Sequence, residues 1–261
     1  MSANGETDAW QALRRFTRAR IALGRVGSGL PTASWLEFNL AHAQARDAVH
    51  ESLDTAALKT QLAEHGWTSI EVSSAAPDRA HYLRRPDSGR RLSDASRERL
   101  MDMDSHEKGF DVVFVIADGL SAFAGTRHAI ELLSLLRPRM KDWAIGPVVI
   151  ATQARVALGD EIGALLRATL IVMLIGERPG LSSPDSLGIY FTYAPKPGRS
   201  DADRNCISNV RPEGLSYAAA AHKLHALLSE ARRIKLTGVG LKDESDALTS
   251  ETAPTLVGPS D

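Results

Sequence analysis

Cysteine is nearly absent from this chain. Cys206 is the single one among 261 residues, which excludes an intrachain disulfide and a cysteine-based zinc site and makes a cytoplasmic, reducing location the expectation. A surplus of either charge is missing as well. Lysine and arginine number 31 against 32 aspartates and glutamates, a formal net charge of −1, so the basic excess or stripe of a nucleic-acid binder is not there. Long apolar runs are lacking too: the longest, Thr169 to Gly176, falls far short of the ~20 residues that a membrane-spanning helix needs. At the start, Met1 to Trp10 carries Glu6 and Asp8 in place of the apolar stretch of a secretory signal. Nucleic acid and membrane are therefore not expected as partners. What remains is an ordinary globular balance of 43% hydrophobic and 24% charged residues, enough for one large or two modest domains.

The first eighty residues read as mainly helical. Ala33 to Val49 is rich in helix formers, with Leu36, Leu40 and Ala43 at helical spacing and Ser34 and Glu37 spaced as a capping box. A second helical pattern from Thr55 to His65 ends at Gly66, where glycine suits a left-handed cap. The texture then changes. DVVFVIA at Asp111, PVVIAT at Pro147, TLIVMLI at Thr169 and GIYFTYA at Gly188 are short runs rich in β-branched residues. Helix-like segments at Arg127 to Arg137 and Asp160 to Arg167 separate the first three, which predicts an α/β fold whose mainly parallel sheet is flanked by helices. Ser216 to Ile234 predicts a last helix, with Tyr217, Ala221, Leu224, Leu228 and Ala231 as its apolar stripe. The polar segment after Glu244 reads as a disordered tail.

Ligands of open α/β sheets sit beyond the carboxyl ends of strands. The segments Asp118 to Ser121, Gln153 to Val156 and Gly176 to Gly180, each directly after an apolar run, should therefore converge on one edge. Glu177 is the most informative residue among them, because a carboxylate after a buried strand is costly unless it is partnered. Ligand contact is one reading of it; a helix cap or an ion pair with Arg178 or another arginine is the other. Cys206 on the same terms reads as a small buried residue.

Other motifs favour their plainer readings. GRVGSGLPT at Gly24 lacks the lysine of a phosphate loop and the third glycine of a dinucleotide fingerprint, so it reads as a turn between helices. Asp104 to Gly109 matches the D-x-H-x-x-G pattern of some cobalamin proteins, but it precedes a strand where that pattern should follow one. It reads as a helix-end loop. His222 and His225 lack a carboxylate or cysteine at matching spacing for a metal. Ser121, His128 and Asp118 have the composition of a hydrolase triad without its G-x-S-x-G elbow.

Several strings occur in fixed order: ARIALGRVGSGLPT at Ala19, LAHAQARDAV at Leu40, YLRRPDSGRRL at Tyr82, FDVVFVIADGLS at Phe110, LGDEIG at Leu158, GERPGLSSPDSLGIY at Gly176 and DRNCISNV at Asp203. Together, over roughly Leu13 to Lys242, they closely resemble the small (light) subunits of ethanolamine ammonia-lyase. The resemblance implies a lyase that converts ethanolamine to acetaldehyde and ammonia with adenosylcobalamin, active only as a hetero-oligomer with a large subunit that binds most of the substrate. It implies a helical N-terminal domain at 10–80, a Rossmann-like cobalamin-binding domain at 81–243 and a tail at 244–261. It carries Val156, Glu177 and Cys206 over as cofactor-binding residues, and it assigns no catalytic residue and no metal ligand to this chain. Some members of the family carry a longer N-terminal extension linked to packaging in a bacterial microcompartment; Met1 to Asp8 is brief beside it, and the expected location is cytoplasmic, with microcompartment residence open. The competing reading is a non-catalytic Rossmann-like module for nucleotide binding or assembly.

Overall fold

A computed structural model of the chain describes residues 9–103 and 109–244. Helices α1 (Thr32–His50) and α2 (Thr55–Glu64) come first, followed by strand β1 (Ser69–Ser73). Then come α3 (Arg79–Arg84), α4 (Asp94–Met101), β2 (Phe110–Ala117), α5 (Ala122–Leu136), β3 (Val148–Thr152), α6 (Leu158–Leu165) and β4 (Ala168–Gly176). Strands β5 (Leu187–Tyr193) and β6 (Asn205–Val210) and helix α7 (Tyr217–Ile234) complete the order. The six strands form one sheet in the order β1-β3-β2-β4-β5-β6. Its first four strands are mutually parallel, while β5 and β6 extend it antiparallel.

The apolar runs are two-sided. In β2, Val112, Phe114 and Ile116 enter one core and Val113, Val115 and Ala117 the other; Leu170, Val172 and Leu174 of β4 alternate likewise with Ile171, Met173 and Ile175. Successive side chains of a strand point to opposite faces, so a run that is apolar at every position demands a cover on both. Residues of α2, α5 and α7 supply one cover, including Leu58, Leu133 and Leu224. Leu100 of α4 and Ile162 of α6 supply the other. Because the helices that follow β2 and β3 lie on opposite faces, their loops part at the carboxyl edge and leave a crevice there.

The N-terminal reading needs correction in two places. Residues 10–80 are not all helical, because SIEVS at Ser69 pairs in parallel with β3 from Ser69↔Val148 to Ser73↔Thr152. Leu53, Leu58, Leu62 and Trp67 also belong to a core beneath the sheet, so chain upstream of residue 81 is built into the sheet unit. The capping box is not formed either. Pro31 is the N-cap of α1 and has no side-chain bond there, and the Ser34 hydroxyl donates to the Leu23 carbonyl at 3.3 Å. Gly66 does take the left-handed conformation, at φ +74°, and Val26 and Gly29 exchange two backbone hydrogen bonds in the glycine-rich turn. The D-x-H-x-x-G match and the C-terminal tail lie outside the described residues, apart from Gly109 and Glu244.

Candidate functional site

Two strand ends are tied together by one carboxylate, and a backbone hydrogen bond adds the third. Asp118, directly after β2 and 1% exposed, accepts the Gln153 N–H at Oδ2 (2.8 Å) and the Ala154 N–H at Oδ1 (3.0 Å), both from the loop after β3. The Arg79 guanidinium donates to Oδ2 at 3.0 Å and to the Gly119 carbonyl at 2.9 Å. Burial pushes the Asp118 carboxyl up from its ordinary range, and Arg79 and the two backbone donors oppose that shift. The Leu120 N–H reaches the Gly176 carbonyl at the end of β4 (3.0 Å). At Gly176 a Cβ would fall 2.0 Å from the Ser121 carbonyl oxygen, so only glycine admits this approach.

The loops thus gathered enclose a half-open cleft of about 470 Å³. Val156, Glu177 and Tyr190 line it, as do Arg90, Arg155 and Arg178. Val156 is partly buried and packs against the core between α6 and the sheet. Glu177 follows β4, and its Oε2 accepts the Ser186 hydroxyl and the Asn209 N–H. It neither caps a helix nor pairs with Arg178, and among the described residues its Oε1 accepts no hydrogen bond. Burial pushes the Tyr190 phenol up, helped by a hydrogen bond with Cys206 and by the negative charge of Glu177.

Cys206 departs from the buried reading. It is exposed, sits directly across from Tyr190 on β6, and its Sγ is 3.2 Å from the Ser208 hydroxyl. Val156 and Glu177 therefore share the cleft, while Cys206 stands one strand beyond its Tyr190 wall. Sequence reasoning placed the three strand-end loops correctly but missed Tyr190, Arg90 and the Asp118–Arg79 tie. A buried-strand tyrosine and an arginine in a turn give no periodic signal that sets them apart.

The hydrolase constellation is dispersed. The Ser121 hydroxyl donates to the Pro184 carbonyl (2.7 Å), His128 Nδ1 is bonded to the Tyr217 hydroxyl (2.7 Å), and Asp118 serves Arg79 and the loop. His222 and His225 line a separate cavity beside α7, and no cluster of three metal-ligating side chains occurs among the described residues. No helix among those residues is long and apolar enough to cross a membrane.

An α/β sheet whose strand-end loops shape an open, mixed-polarity cleft at its carboxyl edge belongs to the class of open α/β domains, and that edge is where such sheets take their ligands. Comparison with known proteins specifies the family. The family described as ethanolamine ammonia-lyase light chain (EutC) matches residues 7–242. A Pseudomonas fluorescens ethanolamine ammonia-lyase small subunit is 58% identical over 246 residues, 93% of this chain and 90% of the relative. The small subunit of Xanthomonas campestris pv. campestris is 58% identical over 243 residues (92% and 89%), and that of Azotobacter vinelandii is 58% identical over 240 (91% and 89%). The chain belongs to the ethanolamine ammonia-lyase light-chain family, and so to the lyases.

Proposed function

We propose that this chain is the cofactor-covering subunit of an adenosylcobalamin-dependent ethanolamine ammonia-lyase, which converts ethanolamine to acetaldehyde and ammonia together with a large subunit. The observation that carries the reading is the meeting of Val156 and Glu177 in one strand-edge cleft of a chain belonging to this family. The residues suit the group. Val156, Ile175 and the Tyr190 ring offer apolar contact for a corrin edge or a flat base, and covering the part of the valine still exposed contributes less than the ~1.5–3 kcal/mol of a full burial. The free Oε1 of Glu177 is an acceptor-only site matched to the amide N–H donors of corrin side chains. Cys206, exposed beside Tyr190, would pack against the ligand rim, and no redox step is assigned to it.

A cleft of about 470 Å³ is smaller than a cobalamin, so this chain can cover only part of it and a second surface must close the rest. When bound, adenosylcobalamin supplies a cobalt–carbon bond whose homolysis starts the radical chemistry. The residues of this chain hold the ligand in place and exclude water from it. Substrate binding and the reacting atoms fall to the large subunit.

Exposed apolar residues support a contact with that subunit. Phe16, Trp35, Leu36 and Leu40 are exposed, at 73%, 56%, 55% and 61%, and α1 buries only Ala41 and Ala48. A helix showing that much apolar area to solvent is suited to an obligate interface. The apolar exposure thus gathers in the N-terminal layer, not at the cofactor edge.

The test is a titration of the assembled two-subunit complex with adenosylcobalamin, followed by an acetaldehyde assay. Glu177→Gln and Val156→Asp complexes should bind the cofactor about tenfold more weakly than the parent. Parent-like binding by both would remove these residues from the site, and an assembled parent complex releasing no acetaldehyde would remove the activity.

A further inference from the structure

The cleft holds more positive charge than the roles of Val156 and Glu177 use. Arg90 comes from the turn before α4, Arg155 from the loop after β3 and Arg178 from the loop after β4, and all three line it. The acids around them are engaged elsewhere. Asp160 is held by Arg204 through two bonds of 2.6 and 2.8 Å, and Glu161 accepts from Arg97 Nε and the Leu92 N–H, both at 2.8 Å. Asp201 lies 3.4 Å from Arg204 Nε, and Glu177 takes the Ser186 hydroxyl. Among the described residues, none of the three lining arginines is in a salt bridge. Arg155 instead lies over the Tyr82 ring, its Cζ 5.8 Å from the centroid, a contact that orients the guanidinium plane.

Three guanidinium groups around one cleft repel one another unless an anion completes the set. Their forked donors match the oxygens of a phosphate group in geometry and in charge. Glu177 and Asp201 are the acids of the lining, neither in a salt bridge with the three arginines, so the cleft keeps a net surplus of one positive charge. The corrin side-chain amides are neutral, so the phosphodiester of the nucleotide tail is the one anionic group that a cobalamin presents.

We infer that Arg90, Arg155 and Arg178 form an anion subsite for the phosphodiester of the cobalamin nucleotide tail, a role that rests on the cobalamin reading above and extends it. Val156 and Tyr190 would then meet apolar parts of the ligand while the arginines fix its tail. The subsite should make binding salt-dependent, because charge-assisted contacts at an open cleft are screened.

The experiment uses the assembled two-subunit complex and reads ligand binding by absorbance. The ligands are adenosylcobalamin, cobinamide, which ends in a hydroxyl, and cobinamide phosphate, which carries a phosphate at that hydroxyl. The parent should prefer cobinamide phosphate over cobinamide by about tenfold, and less at higher salt. An R90Q/R155Q/R178Q complex should lose that preference and bind adenosylcobalamin at least about tenfold more weakly. If the triple variant does not assemble, R90Q/R178Q changes two exposed side chains only and should lower adenosylcobalamin affinity several-fold. Unchanged adenosylcobalamin affinity in an assembled variant overturns the inference, as does a parent complex that binds both truncated ligands equally. A parent complex that binds no adenosylcobalamin at all overturns the cobalamin reading itself, a result distinct from either.

Discussion

Asp118→Asn is the sharpest test of how the site is held. The carboxylate is 1% exposed and Arg79 is 9% exposed, so neither charge can turn to water when the other is lost. Two donors converge on Oδ2 and one on Oδ1. An asparagine would best place its carbonyl at the Oδ2 position, which leaves its amide group facing the Ala154 N–H, donor against donor. The cost combines one unsatisfied buried N–H, about 1–3 kcal/mol, with a buried guanidinium stripped of its counter-charge. Removing one member of a buried pair costs about 3–5 kcal/mol, and that sets the expected total. For a chain of this size it is a fall in Tm of roughly 6–20 °C, measured by thermal unfolding of the assembled complex. Cobalamin affinity should fall with it, since the loop carrying Val156 loses its tie. The exposed Glu98→Gln, on α4 and away from the site, serves as control and should shift stability by no more than about 0.5 kcal/mol. An Asp118→Asn complex within about 1 kcal/mol of the parent would refute the tie as an organising element of the site.

Other expectations are equally direct. Gly176→Ala would drive a Cβ against the carbonyl oxygens of Ser121 and Asp118, at 2.0 and 2.6 Å, and should destabilise the chain by at least about 3 kcal/mol in urea unfolding. Trp35→Asp combined with Leu40→Asp, both on exposed positions, should leave the far-ultraviolet dichroism of the chain unchanged but weaken assembly with the large subunit by at least about tenfold; unimpaired assembly would move the interface elsewhere. Burial pushes the His128 imidazole below its usual range, against an upward pull from Asp185. Because the unfolded state then binds the proton more readily, stability is greatest above the ordinary histidine range and falls as pH drops through about 6.5. His128→Gln should flatten that slope, with His225, also lowered by burial, retaining the remainder; an unaltered slope would show that His128 titrates normally.

Much of this was open to a reading of the residues. The runs at Asp111, Pro147 and Thr169 became β2, β3 and β4 because a segment apolar at every position can be satisfied only between two covering layers. Ligand-edge loops followed from the same runs. SIEVS at Ser69 was harder to see, since five residues alternating between polar and apolar carry little signal until β3 is beside them. DRNCISNV was legible as a motif but not as the edge strand β6, and an edge position is what exposes Cys206. The capping-box spacing at Ser34 was overruled by Pro31, which occupies the cap itself.

The sequence by itself determined the alternation of helix and strand, the loops at which a ligand edge would form and the family to which the chain belongs, because these depend on composition over short windows and on ordered motifs. Tertiary structure alone decided the partners. That Asp118 meets an arginine 39 residues upstream and two N–H groups 35 and 36 residues downstream, that β5 turns back antiparallel on β4, and that three arginines from separate segments face one cleft depend on how the layers close. Charge and hydrogen-bond pairing act over a few ångströms in space with no regard for distance along the chain, so no local pattern encodes them.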